Sequence, residues 1–315
     1  MKKYLLSGFL AILTITAVMI SCQKDPPTAD FSYEVDGLTV TFTSTVTNTD
    51  SYSWDFGDDL TSTEANPVHV YSAAGDYDVI LTAKGEGGSD KVEKTVTVTI
   101  SLNDVKKFLT GGSEAANGKT WVLDKVVHVG VDGGSAVEPT FFLAIGIDPV
   151  AMDTILDSEY DNEFTFYYNG NYKVNLVNDT ALTATLFGIF GGEVQLYTME
   201  NNIYGLNKSS YTAPASSTWT LHEDDLVVDA ITNPLGTEIP ALHGNITFSD
   251  KFWVDLSDGA YFGILDFPST RQFIIKSISN ESMSVALFIC AYWTDPMGSG
   301  NLPTWLYHLT FIPKQ

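Results

Sequence analysis

Residues 51–58 read Ser51-Tyr52-Ser53-Trp54-Asp55-Phe56-Gly57-Asp58, and residues 75–83 read Gly75-Asp76-Tyr77-Asp78-Val79-Ile80-Leu81-Thr82-Ala83. Apolar and polar side chains alternate along both stretches, a period of two that is typical of β-strands buried on one face. The same alternation recurs in residues 29–35, 38–43 and 95–99. The pattern therefore predicts a module of short, half-buried β-strands over residues 29–100.

Three motifs in this module resemble the PKD (polycystic kidney disease) domain family. They are Trp54-Asp55-Phe56-Gly57-Asp58, Pro67-Val68-His69-Val70-Tyr71 and Gly75-Asp76-Tyr77. The resemblance implies a seven-stranded immunoglobulin-like sandwich with Trp54 and Tyr71 in its core. We interpret this module as a spacer.

The turn acids of the first motif have two possible roles. Asp55 and Asp58 are expected to hold the turn around Gly57 through hydrogen bonds to the backbone. A structural calcium ion bound by these acids remains the alternative. No other cofactor is expected.

The first 21 residues are predicted to be an export signal that is not part of the fold. Lys2 and Lys3 precede the apolar run Tyr4–Ile20, and Cys22 follows shortly after it. A positive start, an apolar core and a small-residue junction are typical of secretory signals. The cysteine makes the signal resemble that of bacterial lipoproteins, which implies lipidation of Cys22, with residues 22–28 as anchor and spacer. A membrane-spanning helix is the alternative, but a run of about 17 residues is the lower limit for a span.

Two further features concern location and partners. Gln23-Lys24-Asp25 resembles the surface-export tag of outer-membrane lipoproteins, which implies a lipid-anchored position on the outer membrane, exposed at the cell surface. The chain carries 39 acidic against 16 basic residues, a formal net charge of −23. Because phosphate backbones would repel such a chain, no nucleic-acid partner is expected.

Residues 101–118 are predicted to be a linker with a short helix. Asn103 is expected to cap this helix at its N-terminus, and Gly111-Gly112 is expected to end it. The second domain then covers residues 119–315.

The second domain is predicted to be all-β. Its clearest hairpin joins residues 164–168 to residues 171–176 through Asn169-Gly170, for which we expect a two-residue type I′ turn. About ten antiparallel strands in a domain of this length predict either a barrel or a β-sandwich.

Several stretches of this domain resemble one family. They are Lys119–Asp124, His128–Val131, Tyr160–Phe166, Ile278–Met283 and Trp305–Leu309. The family is the C-terminal domain that follows PKD modules in lipoproteins of glycan-uptake operons, either a lipocalin-like barrel or a jelly-roll-like sandwich. The resemblance implies non-catalytic binding of a polysaccharide or oligosaccharide, beside an outer-membrane transporter complex.

One acidic stretch favours an enzyme instead. Along an extended strand, side chains two residues apart share a face, so Glu159, Asp161 and Glu163 would line up. This spacing resembles the signature of laminarinase-like family 16 glycoside hydrolases, which implies Glu159 and Glu163 as the two catalytic carboxylates. Glycoside hydrolysis is therefore the alternative function. An adhesion or structural lipoprotein without a small ligand is the third.

Three aromatic residues are candidates for glycan contacts, because sugar rings pack their C–H faces on flat side chains. Trp293 opens the loop of residues 293–300, Tyr261 follows a turn at residues 257–259, and Trp253 lies in a predicted strand. A core position is the alternative for each, since aromatic rings bury well. The five histidines are scattered without metal-ligand spacing, so no metal site is expected.

Overall fold

The computed structural model describes most of the chain from residue 24 onward. It describes residues 24–140, 145–146, 157–177, 179–184, 206–232, 242–257, 259–266, 271–290 and 302–315. The predictions on Cys22 and Trp293 lie outside the described residues. No helix within these ranges is long and apolar enough to cross a membrane.

The chain divides into two compact units. The first consists of residues up to Glu34, Thr41–Val68 and Tyr77–Val96, and the second of Val35–Val40, His69–Asp76 and Thr97–Gln315. The N-terminal sandwich and the C-terminal domain are described in turn.

The N-terminal residues fold into a β-sandwich. Its strands are β1 (Thr28–Asp36), β2 (Thr39–Thr47), β3 (Ser51–Asp55), β4 (Thr61–Ser62), β5 (Val68–Val70), β6 (Gly75–Gly85) and β7 (Gly88–Val98). One sheet has the strand order β1-β2-β5 and the other β4-β3-β6-β7. The predicted seven-stranded sandwich is confirmed.

Trp54 lies at the centre of an aromatic cluster in this sandwich. Its side chain is fully buried, and its ring centroid lies 5.2 Å from that of Phe31 and 5.3 Å from that of Phe42. The indole Nε1 donates to the backbone carbonyl of Glu64 over 2.9 Å, so the one polar atom of the ring is satisfied. Trp54 and Tyr71 are both buried, as predicted.

The turn after β3 is held by its own acids. Asp55 Oδ1 accepts from the backbone N–H of Gly57 over 3.0 Å, and Asp58 Oδ1 accepts from that of Leu60 over 3.2 Å. Gly57 has a φ of 80°, and a Cβ there would lie 2.9 Å from the carbonyl oxygen of Asp78. The predicted backbone bonding of both acids is confirmed.

In its described residues, the C-terminal domain contains one α-helix, a short 3-10 helix at Asp157–Asp161, and β-strands. The remaining elements are α1 (Leu102–Thr110), β8 (Lys119–Leu123), β9 (Gly133–Ser135), β10 (Ile145–Gly146), β11 (Glu163–Phe166), β12 (Asn171–Asn175), β13 (Thr180–Ala184), β14 (Leu206–Ser210), β15 (Ser217–His222), β16 (Leu226–Thr232), β17 (Leu242–Phe248), β18 (Phe252–Leu256), β19 (Gln272–Ile278), β20 (Met283–Ile289) and β21 (Trp305–Pro313).

Eight of these strands close into an antiparallel barrel. The order is β21-β20-β19-β18-β15-β12-β11-β8, and β8 pairs back with β21. Leu123 lies opposite Phe311, and Trp121 lies opposite Pro313. Of the two predicted architectures, the structure therefore has the barrel.

The barrel interior is filled by side chains from alternate positions of every strand. Phe164 and Phe166 of β11 point inward, and Phe262, from the segment before β19, packs among them. The ring centroids of Phe262 and Phe311 lie 4.3 Å apart, and those of Phe262 and Phe273 lie 4.6 Å apart. The interior is thus a packed core, as expected for a small barrel.

The helix α1 packs against the same core through Val105 and Leu109. Ser101, not the predicted Asn103, caps the helix, because Ser101 and Asp104 bond each other's backbone N–H in a capping box. Gly111 ends the helix with a φ of 80°, as predicted. Trp121 Nε1 donates to the carbonyl oxygen of Leu109 over 2.9 Å, which ties the helix to β8.

The β11–β12 turn differs from the prediction. Phe166 pairs with Tyr172, and Gly170 N–H donates to the carbonyl oxygen of Tyr167 over 3.0 Å. Gly170 has a φ of 89°, whereas Asn169 is not among the residues with positive φ. The two-residue type I′ turn was wrong, because only the glycine adopts the left-handed conformation and the loop is longer.

A second layer covers part of the barrel exterior. The strands β16 and β17 form a separate two-stranded sheet, and Leu226, Val228 and Phe248 pack on outward-facing residues of β18–β21. Those outward-facing residues are Trp253, Ile274, Ala286, Phe288 and Leu306. Strands β19–β21 therefore carry buried apolar residues on both faces.

We predict that Gly134→Ala destabilises the barrel. A Cβ at Gly134 of β9 would lie 2.3 Å from Nε1 of the buried Trp305 ring. Overpacking of this kind costs about 1–3 kcal/mol, which denaturant unfolding would measure. The control is Gly244→Ala in β17, where a Cβ meets nothing within 4 Å. Equal effects of the two substitutions would contradict this packing.

Candidate functional site

A groove runs along the outside of the barrel where β8, β11 and the end of β21 meet. Its volume is about 470 Å³. Its apolar lining residues are Val122, Leu123, Val177, Ile312 and Pro313. The others are Asp124, Lys125, Tyr160, Asp161, Glu163, Lys314 and Gln315. The groove therefore combines apolar surface with charged side chains of both signs.

The charged side chains of the groove form two pairs. Lys125 Nζ lies 3.3 Å from Asp161 Oδ1, and Lys314 Nζ contacts Glu163 Oε1. The backbone N–H of Lys314 donates to the carbonyl oxygen of Thr120 over 2.9 Å, which continues the β21–β8 ladder. Pairs as exposed as Lys125–Asp161 add little to stability.

The loop between β8 and β9 carries Lys125 and is fixed at both ends. Asp124 Oδ2 lies 2.8 Å from His128 Nε2, and Asp132 Oδ2 accepts from the backbone N–H of His128 over 2.7 Å. Asp132 Oδ1 also accepts from the Thr310 hydroxyl over 2.7 Å. Val129, in the same loop, is 93% exposed. The loop is thus held by buried polar bonds while its tip faces solvent.

Glu159 lies behind the groove and not in it. The side chain is 4% exposed, and it accepts from Thr180 Oγ1 of β13 and from Asn162 Nδ2, the latter over 2.6 Å. Burial raises the pKa of this carboxyl, although the Thr180 bond and the nearby Lys208 ammonium act in the opposite direction. Glu159 therefore joins the 3-10 helix to the hairpin of β13 and β14.

The predicted line of three carboxylates does not exist. Glu159 and Asp161 belong to the 3-10 helix and only Glu163 begins a strand, so the two-residue period does not apply. Glu159 is buried, whereas Asp161 is exposed and pairs with Lys125. The expectation that the three share one face was wrong, because the chain turns helically before it enters β11.

Two of the aromatic candidates lie in the core. Tyr261 is 3% exposed inside the barrel, and Trp253 is 8% exposed under the sheet of β16 and β17. Trp253 also stacks on His222, with ring centroids 3.9 Å apart. Neither ring offers an open face to a sugar. The prediction for Trp293 lies outside the described residues.

Sequence reasoning missed the lysines of the groove. Lys125 lies two residues after the end of β8, and Lys314 lies directly after the end of β21. A lysine after a strand end indicates a shared site only when β8 and β21 are known to be neighbours in the barrel. Within the described ranges, no group of three or more His, Cys, Asp or Glu side chains is arranged to hold a metal ion.

The N-terminal sandwich matches a known family. Residues 24–100 fit the family model of the PKD domain. This stretch is a PKD domain. The family model ends before the barrel begins, so the match covers only the first of the two domains.

Known proteins share this PKD domain. The collagenase ColQ1 of Bacillus cereus is 59% identical over 49 residues, which cover 15% of this chain and 5% of the collagenase. The pre-pro-metalloprotease PrtV of Vibrio cholerae is 39% identical over 84 residues, covering 25% of this chain and 9% of PrtV. The crystal structure of the PrtV PKD1 domain aligns with 24% of this chain and 99% of its own, at 41% identity and a TM-score of 0.23. The chain thus spans less than a tenth of the length of the collagenase and of PrtV.

We predict that Asp132→Asn changes the pH dependence of stability. Burial raises the pKa of Asp132, against the lowering effect of its bonds from His128 and Thr310. The native state then binds more protons than the unfolded state in the window above the ordinary carboxyl pKa, so wild-type stability falls as the pH rises through that window. Asparagine lacks this titration and keeps both bonds, since the Thr310 hydroxyl can also accept.

The free energy of unfolding of Asp132→Asn, relative to wild type, should therefore increase as the pH rises from the ordinary carboxyl pKa through the raised pKa of Asp132. Denaturant unfolding at each pH measures this difference. The exposed Asp225, replaced by Asn, controls for the loss of one negative charge from an acidic chain. If the difference in unfolding free energy between Asp132→Asn and wild type does not change with pH, the burial of an ionised carboxyl at Asp132 is contradicted.

Proposed function

We propose that this protein is a non-catalytic surface lipoprotein whose barrel domain binds polysaccharide in the groove, with the PKD domain as a spacer. The groove carries the proposal, because its two lysine–carboxylate pairs lie beside apolar side chains on the outside of a closed barrel. The PKD domain is a non-catalytic module.

The packed interior favours a ligand site outside the barrel. Aromatic rings fill the described interior at centroid distances below 5 Å, such as Phe262 with Phe273 and Phe311. The groove volume of about 470 Å³ falls within the range of roughly 300–1,000 Å³ that small-molecule sites occupy. It is therefore large enough for a short segment of a glycan chain.

The chemistry of the groove suits sugar hydroxyls. The carboxylates of Asp161 and Glu163 accept hydrogen bonds from hydroxyl groups, and the ammonium groups of Lys125 and Lys314 donate to hydroxyl or ring oxygens. Val177, which is 49% exposed, offers apolar surface to the C–H face of a sugar ring. Apolar contact fixes affinity, and a few polar groups fix orientation.

The same geometry weighs against glycoside hydrolysis. That reaction requires two carboxylates on either side of the bond to be cleaved. Glu159 is buried and bonded to Thr180 and Asn162, while Glu163 contacts Lys314. The two residues therefore do not face each other across the groove.

The location is part of the proposal. The signal-like residues 1–21 and Cys22 support a lipid anchor in the outer membrane, and Gln23-Lys24-Asp25 supports exposure at the cell surface. A glycan held there would be passed to an outer-membrane transporter complex.

We predict that Glu163→Gln weakens glycan binding about tenfold or more, because a hydrogen bond to a charged group contributes about 1.5–3 kcal/mol. Affinity electrophoresis of the chain from residue 23 onward, through gels containing plant, algal and microbial glycans, measures this, with reducing-sugar release assayed alongside. Glu93→Gln is the matched control, because Glu93 also pairs with a lysine but lies in the PKD domain. Trp293→Ala tests the aromatic candidate of the loop in the same gels.

The possible results of this experiment distinguish the three candidate functions. Retardation by a glycan without sugar release supports the binding protein. Sugar release that Glu159→Gln abolishes would show a hydrolase instead. No retardation and no release with any glycan would favour an adhesion or structural lipoprotein.

We also predict that Cys22→Ser abolishes lipid attachment. In cells grown with a labelled fatty acid, wild-type protein should carry the label and remain with the outer membrane, and Cys22→Ser should do neither. Cys290→Ser serves as the control, because Cys290 is buried. Labelling of Cys22→Ser at the wild-type level would refute the anchor.

A further inference from the structure

We infer that the groove selects uncharged glycans and rejects anionic ones such as polyuronates and sulfated polysaccharides. This inference rests on the proposed function, since it names the class of glycan that the same groove takes. It follows from how the charges of the groove are arranged.

Both lysines of the groove already have carboxylate partners. Lys125 Nζ lies 3.3 Å from Asp161 Oδ1, and Lys314 Nζ contacts Glu163 Oε1. An anionic sugar could bind either ammonium group only by displacing its carboxylate, which would then stand unpaired beside the incoming charge. Like charges at that distance repel, and the repulsion is weakest at the solvent-exposed Lys125–Asp161 pair and stronger at Glu163, which is less exposed.

The remaining charge of the groove is also negative. Asp124 lines the groove as a third carboxylate, and its partner is the imidazole of His128 at 2.8 Å. Three carboxylates therefore face two ammonium groups. The whole chain, with a net charge of −23, adds a repulsive field for any anion that approaches.

An uncharged sugar can use the same pairs without separating them. Of two neighbouring hydroxyl groups, one can donate to the carboxylate and the other can accept from the ammonium group. The groove has two such pairs, one from the loop after β8 and one from the residue after β21. The two lysine–carboxylate pairs hold a chain of uncharged sugar units at two points. The apolar lining of the groove packs against the C–H groups of the sugar rings.

The wild-type test compares three classes of glycan by affinity electrophoresis of the chain from residue 23 onward. The panel holds neutral β-glucans, mannans and xylans, anionic alginate, polygalacturonate and carrageenan, and cationic chitosan oligosaccharides. We expect retardation by at least one neutral glycan and none by the anionic ones. Binding should change less than about twofold between about 20 mM and about 300 mM NaCl, because no net charge is neutralised.

A gain of function supplies the second test. The double substitution Asp161→Asn and Glu163→Gln leaves Lys125 and Lys314 without their carboxylates. We expect it to lose about tenfold in affinity for the neutral glycan and to gain salt-sensitive binding of polygalacturonate. Glu93→Gln frees Lys91 in the PKD domain and should produce neither change. Circular dichroism checks that each variant is folded, and the wild-type panel stands even if the double variant does not fold.

The outcomes separate this inference from the proposed function. Retardation of the wild type by any anionic glycan, or by a cationic glycan but by no neutral one, would overturn the selectivity and leave glycan binding in place. A folded double variant that gains no polygalacturonate binding would also overturn it. No retardation by any glycan would overturn the proposed function itself.

Discussion

The pairing of β8 with β21 is the constraint on which the C-terminal domain depends. Leu123 lies opposite Phe311 and Val122 opposite Ile312, so the first and last strands of the barrel complete its wall. Closure satisfies the backbone groups that two open edges would expose, and it encloses the aromatic interior. The same pairing places Lys125, just after β8, and Lys314, just after β21, at one groove. The contact that completes the fold therefore also assembles the candidate site.

The barrel strands differ in whether their outer faces are buried, and this difference explains their different sequence patterns. All seven residues of β20 are buried, because the interior takes one face and the sheet of β16 and β17 covers the other. In β12, exposed and buried positions alternate instead. A period of two is therefore visible only where the outer face meets solvent. Strand β20 appears in the sequence as an apolar run, and an apolar run shows that a strand is buried but not which side chains face inward.

Sequence reasoning succeeded where the decisive contacts are local. Asp55 and Asp58 bond backbone groups two residues away, and such contacts follow from the motif itself. It failed at Glu159, where a 3-10 helix replaces the assumed strand and Thr180 of another element provides the bond. Tyr261 lies in the barrel interior and Trp253 lies under the sheet of β16 and β17, and no local sequence pattern reveals either environment. Lys125 meets Asp161 through the pairing of β8 with β11, and Lys314 meets Glu163 through the closure of the barrel, so no short window of sequence contains the site.

The net charge of the whole chain and the charge of the groove act on a ligand over different distances. The excess of acidic residues is a property of the whole chain, and salt screens its field over about 8 Å at physiological ionic strength. Inside the groove, each lysine lies within direct contact of a carboxylate, a distance at which screening is weak. A ligand therefore first meets an acidic surface and then a site whose charges are largely compensated. Such a site presents hydrogen-bond donors and acceptors side by side, with little net charge of its own. The charge that repels an anion at long range is therefore a property of the chain, whereas the choice between hydroxyl groups and charged groups is a property of the groove.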